Sequence, residues 1–396
     1  MPALKQELES ETMLLNVGPS HPAMHGALRT QMELDGERIV GSASEIGYLH
    51  RCFEKHSECS TYQQIIPYTD RLNYLSALMN NVGYCMAVEK LLKIEAPDRA
   101  IIIRVIMCEL SRIMDHFVCV GTNLVDIGAL TNFWFFFNIR ERIYNLIEMV
   151  TGARLTYSYT RIGGVARDLY PAFAIDCRIV LKEVEQAVKD VLGLIQHNRI
   201  LVERTVDVGV VTKEQAIEWG FTGPCLRASG YDHDLRKAEP YYFYDQFDFD
   251  IPIAENGDSY DRIMVRMEEV RQSTRIVLQA LEKLPSGLIM TDAALVSLPP
   301  KEEVYGSIEG LMNHFKLIMH GILPPKGEIY SATEAANGEL GFYIVSQGGA
   351  SPYRIKVRPP CFPIFAVFDK MIKGLMVADA IAILGGLNVV VGELDR

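Results

Sequence analysis

The chain has 396 residues, a formal net charge of −11, 49% hydrophobic and 22% charged residues. That is long enough for two or three packed units and ordinary for a globular protein, which excludes disorder and fibrous repeats. The acidic balance also excludes a nucleic-acid backbone as the main partner, because such binding draws on clustered Lys and Arg, and no basic block is present.

In chain order, Met1 to Thr12 is polar and acidic and lacks the basic-then-apolar pattern of a secretory leader, which predicts a chain that stays in the cytoplasm. Met13 to Asn16 and Leu28 to Leu34 read as strands, and the alternation of Leu28, Thr30, Met32 and Leu34 predicts one buried face. An Asp35-Gly36 turn and a return through Ile39 complete a small antiparallel sheet. From Thr61 to about Met149, apolar spacings of three and four predict helices over Tyr74–Leu92, Asp98–Leu124 and Phe133–Val150, with Pro97 at the entry of the second. Gly152, Gly163 and Gly164 punctuate a loop before another amphipathic helix, Ala172–His197. Thr222–Pro252, rich in Gly, Pro, Tyr and Asp, predicts a long ordered loop, and such loops tend to be functional or to meet partners. Asp261–Leu284 predicts a helix, Asn337-Gly338 a hairpin between Tyr330 and Val345, and Phe365–Leu384 a final apolar helix.

These elements describe an α+β protein, mostly α, in three regions: a β-rich 1–60, a helical bundle over 61–220 and an α+β region over 221–396 with the long loop, hairpin and final helix. No uncharged stretch, Ile127–Ile139 and Ala380–Gly392 included, reaches the roughly 18 to 20 residues that cross a bilayer, so membrane contact is expected through a partner. Eight scattered cysteines with no CxxC pair predict reduced thiols rather than disulfides or a zinc ribbon.

His21 and His25 are four apart and on a helix would share a face, as metal ligands do. Pro19, Pro22 and Gly26 disfavour that helix, and no Glu follows the first His, so the spacing alone favours structural histidines. Gly47–Lys55 by itself reads as a solvated, ion-paired turn. Asp126 sits in an otherwise apolar segment, where burial requires a partner that spacing cannot name.

The motifs taken together are specific. GPSHPAMHG from Gly18, His50-Arg51 with Glu54-Lys55, DRLNYLS from Asp70, ELSRIMDH from Glu109, DIGALT from Asp126, TGAR from Thr151 and RIGGV from Arg161 occur in that order. LRASG with DLRK, YDQFDFDIP, GDSYDR and a terminal GELDR follow. From about residue 15 to Arg396 the chain is similar to the family of 49 kDa, or D-type, subunits of respiratory complex I.

That family resembles the large subunit of nickel-iron hydrogenases, whose metal is held by two CxxC pairs. Here the first pair's region reads His50-Arg51-Cys52-Phe53-Glu54-Lys55 and the C-terminus Gly392-Glu393-Leu394-Asp395-Arg396, so no nickel-iron centre is expected. The resemblance implies that the old metal cavity takes a quinone headgroup, ubiquinone or menaquinone, as substrate, with no metal or flavin bound by this chain. Electrons would come from the terminal iron–sulfur cluster of a neighbouring subunit, and the quinone would enter from a membrane subunit. Other peripheral-arm subunits complete the expected partners, and the expected location is the cytoplasmic side of the inner membrane. Catalysis would occur only within the complex, with NADH oxidised elsewhere.

Residue by residue, the resemblance implies that His25 and Tyr74 contact the headgroup and that Asp126 pairs with the histidine to orient it. It implies that His21 and Thr122 line the same pocket, which the 1–60 region helps to build, and that Arg51 and Arg71 stand beside the partner's cluster. Reduction of a quinone takes two electrons and two protons, so two donors beside its oxygens suit the chemistry. In the competing reading, the two arginines merely pair with Glu54 and Asp70. Two positions depart from the family: Cys52 replaces a usual glycine, and Thr156 replaces a histidine that couples cluster potential to pH in many members, hinting at a lower-potential quinone. The rival readings are a ferredoxin- or coenzyme-linked membrane oxidoreductase, or a scaffold between cluster and membrane subunits.

Overall fold

The computed structural model describes residues 12–396 and is dominated by helices, with two three-stranded antiparallel sheets and one two-stranded ribbon. The predicted N-terminal meander is present as Met13–Val17, Arg29–Asp35 and Arg38–Glu45, with Met13 opposite Leu34 and Arg29 opposite Glu45. Its apolar face, Met32, Leu34 and Ile39, is buried against the C-terminal helices through Phe368, Ile383 and Leu387. The N-terminal sheet and the C-terminal segment therefore share one hydrophobic core.

The centre of the molecule is the 29-residue helix Asp98–Asp126, about 44 Å long at the standard rise. Around it pack Ala77–Leu92, Leu130–Thr151 and Ser259–Glu282, each within a few residues of the predicted bounds. Phe173–Ile195 adds another layer against Leu130–Thr151. No helix among the described residues is long and apolar enough to cross a membrane.

The central helix is not apolar all round, because Arg104, Glu109, Arg112, Asp115 and His116 are fully buried along it. Burying charge is costly unless each group is paired and hydrogen-bonded, and here the partners come from distant motifs. Arg236 lies 2.7 Å from Asp234 and 3.2 Å from Glu109, and Arg227 lies 2.9 Å from Glu334 and also pairs with Glu269. His116 lies 2.7 Å from Glu269, and burial pushes its imidazole below the ordinary value. The DLRK, LRASG and ELSRIMDH strings thus meet in one ionic network.

Two expectations need correction. Thr222–Pro252 is not all loop: it contains short helices at Gly223–Arg227 and Leu235–Ala238 and a 3-10 turn at Tyr244–Gln246, stabilised by that network rather than by an apolar stripe. The final helix is broken into Cys361–Ala366, Phe368–Ile372 and Val377–Leu387. Gly374, with φ +85°, turns the chain so that its N–H donates to Ile39 O at 2.7 Å, which ties this segment to the N-terminal sheet. The hairpin is present as Gly327–Ala335 and Gly338–Ser346 and gains a strand not foreseen, Arg354–Arg358, whose Ile355 and Val357 alternate inward.

Candidate functional site

A cleft of about 350 Å³ opens where the end of the central helix, the N-terminal loop and the C-terminal segment converge. His25 reaches it from a tight turn. Pro22–Met24 forms a single 3-10 turn, His21 Nδ1 accepts from Ala23 N at 3.2 Å, and His25 closes the turn in the left-handed region at φ +52°. Gly26 follows because a Cβ there would lie 2.4 Å from Val391. The backbone, not the histidine spacing, fixes this loop.

Asp126 is the last residue of the central helix, where the aligned peptide dipoles end negative and a carboxylate alone is unfavourable. Its Oδ2 lies 2.5 Å from His25 Nε2, with the two side chains 17% and 18% exposed. Sequence spacing left this partner unnamed, since the pair is 101 residues apart. One helical turn back, Thr122 lines the same face with Val118 and Val125. Its hydroxyl donates to Val118 O at 2.8 Å, so it offers the cleft a methyl group and lone pairs rather than a free proton.

Tyr74 enters from the DRLNYLS turn. Asn73 caps that turn, accepting from Leu75 N at 3.1 Å and donating to the buried Asp115 at 2.9 Å. The phenol is pushed above its ordinary value, first by burial and then by the Asp115 carboxylate and Cys361, so it remains a neutral O–H donor at physiological pH. No hydroxyl hydrogen bond to protein is formed by Tyr74 among the described residues.

His25, Tyr74, Asp126 and Thr122 therefore share one cleft, while His21 stands on the exposed turn at its edge and is not part of the lining. Leu75, Leu130 and Phe133 add apolar wall, and the last side was missed by sequence reasoning: Asn388, Val389 and Val390, which follow the final long helix. Asn388 terminates that helix at φ +55° and donates to Asp115 at 2.7 Å. An Asn after a Gly-Gly pair at the end of an apolar helix is the signal that such a turn leaves in the sequence.

Comparison with known proteins agrees with the motifs. The family model for "Respiratory-chain NADH dehydrogenase, 49 Kd subunit" matches residues 126–396. The chain belongs to that family. It is 54% identical to the C/D polypeptide of the NADH-quinone oxidoreductase of Bdellovibrio bacteriovorus, over 98% of this chain and 70% of the relative. It is 48% identical to the D polypeptide of the NADH-quinone oxidoreductase of Leptospira biflexa, over 98% and 96% of the two chains, and 49% identical to that of Myxococcus xanthus, over 99% and 95%. It is thus a subunit of an NADH-quinone oxidoreductase, complex I.

The two arginines that the family resemblance singled out lie together. Arg51 Nη2 donates to Arg71 O at 2.6 Å and to Gly392 O at 3.4 Å, and burial followed by the neighbouring Arg71 charge holds its guanidinium below the ordinary value. Arg71 donates to Pro67 O at 2.5 Å and comes no nearer than 3.7 Å to Asp70. Glu54 instead meets Lys356 at 3.0 Å, so Arg51 is not held by that carboxylate. Simple ion pairing does not account for Arg51.

A second cleft of about 340 Å³ lies nearby, lined by His50, Cys52, Glu54 and Arg396 among others. Cys52 sits at φ +54° without a side-chain cap, a conformation natural to glycine, the residue that the family resemblance implies there. Among the described residues no three His, Cys, Asp or Glu side chains converge as metal ligands.

Proposed function

We propose that this chain forms the quinone-headgroup pocket of its complex, where electrons from the terminal iron–sulfur cluster of a neighbouring subunit reach quinone. One observation carries the reading: a neutral Tyr74 phenol and a His25 imidazole anchored by Asp126 line one cleft whose remaining wall is largely apolar. A planar quinoid dione suits such a space, since its ring needs apolar contact and its two oxygens need donors.

Both oxygens gain negative charge as electrons arrive, and donors placed beforehand stabilise that charge and deliver the two protons. Asp126 keeps the His25 ring aimed into the cleft. The adjacent cations Arg51 and Arg71 suit a surface that faces the partner's cluster, since positive charge favours its reduced state. Leu130, Trp134 and Phe135, exposed beside the cleft, suit the docking of a membrane subunit that supplies the quinone. Under this reading the chain is peripheral, on the cytoplasmic side of the inner membrane.

Tyr74→Phe and His25→Ala are expected to lower quinone reduction by about a hundred- to a thousand-fold, roughly 2.7 to 4 kcal/mol of lost transition-state stabilisation, while upstream reduction of ferricyanide by NADH persists. Parental turnover of a short-chain quinone in both assembled variants would remove the pocket assignment.

A further inference from the structure

Behind the cleft lies a carboxyl group that the quinone chemistry above does not use. Glu393 is fully buried in the last short helix, Val391–Asp395. One carboxyl oxygen accepts from Cys361 N at 2.9 Å, and the other has no partner. A buried carboxylate with a bare oxygen and no cation on it is strongly disfavoured, whereas the protonated acid is not.

The groups facing Glu393 do not neutralise it. Cys361, on the neighbouring helix, is a thiol pushed well above its ordinary value by burial and then by Glu393 itself, so it brings no charge. Asp115, on the central helix, adds a like charge. Arg358, on the Arg354–Arg358 strand, is the cation within range, but its guanidinium donates to Glu339 O at 2.7 Å and to Gly220 O at 3.1 Å. Arg51 reaches only the backbone, through Gly392 O. Burial, partly offset by the bonds from Cys361, pushes the Glu393 carboxyl up to about 7.

Its position connects it to the cleft. A Cβ on Gly392 would lie 2.6 Å from Leu72 O and 3.2 Å from Tyr74 Cδ1, so the residue before Glu393 is pressed against the tyrosine ring. Val390, two residues before Gly392, lines the cleft and donates to Cys361 Sγ at 3.5 Å. Cys361 lies within electrostatic range of both Tyr74 and Glu393.

We propose that Glu393 is a proton store for quinone reduction: it holds a proton at rest and passes it to the Tyr74 phenolate left when a quinone oxygen takes the phenolic proton. This rests on the quinone-pocket reading. The step balances: the quinone receives two electrons from the established activity, one proton from Tyr74 O–H and the other from the second donor of the cleft, His25. The carboxyl proton restores that O–H, and the resulting carboxylate regains a proton from solvent. Glu393 acts through Tyr74 and is a relay residue rather than a catalytic one. Because the store works only when protonated, the rate it supports falls as pH rises through its titration range.

The test is Glu393→Gln in the assembled complex, since Gln matches the protonated acid in shape and keeps an acceptor for Cys361 N–H. NADH-driven turnover of a short-chain quinone is measured from about pH 5.5 to 8.5 beside ferricyanide reduction. Expected is a loss of at least about tenfold at the acid end and a flattened fall near pH 7, with ferricyanide rates unchanged. A parental rate and parental pH profile in Glu393→Gln, with Tyr74→Phe impaired, overturns the store and leaves the pocket intact. If Tyr74→Phe is also unimpaired, the pocket itself is lost. Should Glu393→Gln fail to assemble, glutamate-labelled wild-type complex decides by infrared difference spectroscopy. A protonated glutamic-acid carbonyl band that changes on quinone reduction supports the store, and its absence overturns it.

Discussion

One helix, Asp98–Asp126, carries two kinds of charged residue, and they differ in what surrounds them. At its middle Glu109, Arg112 and His116 are fully buried among Arg227, Asp234, Arg236, Glu269 and Glu334. At its end Asp126 is partly exposed and held by one residue, His25. Charges that satisfy one another in the interior have little capacity left for a ligand, whereas a carboxylate at a cleft edge with a single imidazole partner can steer a reacting group. Tyr74 belongs with the second kind, its hydroxyl being uncommitted in the cleft. Under the proposed function, structure and chemistry are divided along a single element, and substitutions in the two zones should fail in different ways.

The largest effect is expected in the interior. Arg227→Met strands Glu269 and Glu334 as buried charges, and removal of one partner from such a network costs about 3 to 5 kcal/mol. That variant should fail to assemble or show a sharply lower melting temperature, measured on the whole complex. The cleft variants Tyr74→Phe and His25→Ala should melt like the parent while losing turnover. Equal melting of Arg227→Met and the parent would erase the distinction between the zones.

A smaller effect is expected beside the second cleft. Cys52 occupies a left-handed backbone conformation that costs an ordinary residue about 1 to 2 kcal/mol and glycine almost nothing. Cys52→Gly should therefore stabilise the complex by about 1 kcal/mol, less the greater chain entropy of glycine when unfolded, with no change in turnover. A lower melting temperature for Cys52→Gly would show that the thiol makes a contact worth more than the strain.

The smallest effect concerns the surface proposed to face the partner's cluster, which lies apart from both zones. Thr156 is half-buried two residues before Ser158, whose hydroxyl binds Asp70 at 2.6 Å, next to Arg71. Threonine does not titrate, so a nearly pH-independent cluster potential is expected between about pH 6 and 8. Thr156→His should introduce a slope of up to about 59 mV per unit, read by redox titration with electron paramagnetic resonance. A parental slope already near that limit would place the coupling on another group.

Much of this was legible in the residues themselves. Helix and strand periods depend on neighbours three, four or two positions away, so the bundle and the N-terminal meander followed from local pattern. The HPAMHG, DRLNYLS and DIGALT strings carried His25, Tyr74 and Asp126 through their resemblance to a family, though no local rule says that the three should meet.

What the tertiary structure decided is where local pattern and long-range contact disagree. Phe365–Leu384 carries enough apolar residues for one helix, yet it breaks around Gly374, whose N–H meets the backbone carbonyl of Ile39, more than 300 residues away in the chain. Gly223–Arg227 has no helical stripe, yet it coils because Arg227 is drawn to Glu269 and Glu334. His25 finds Asp126, and Glu393 loses its water, only because the N-terminal sheet region and the C-terminal segment pack into one core. Amphipathic period is written residue by residue, but burial and electrostatic partnership depend on which distant residue excludes the water, and that is a property of the packed chain alone.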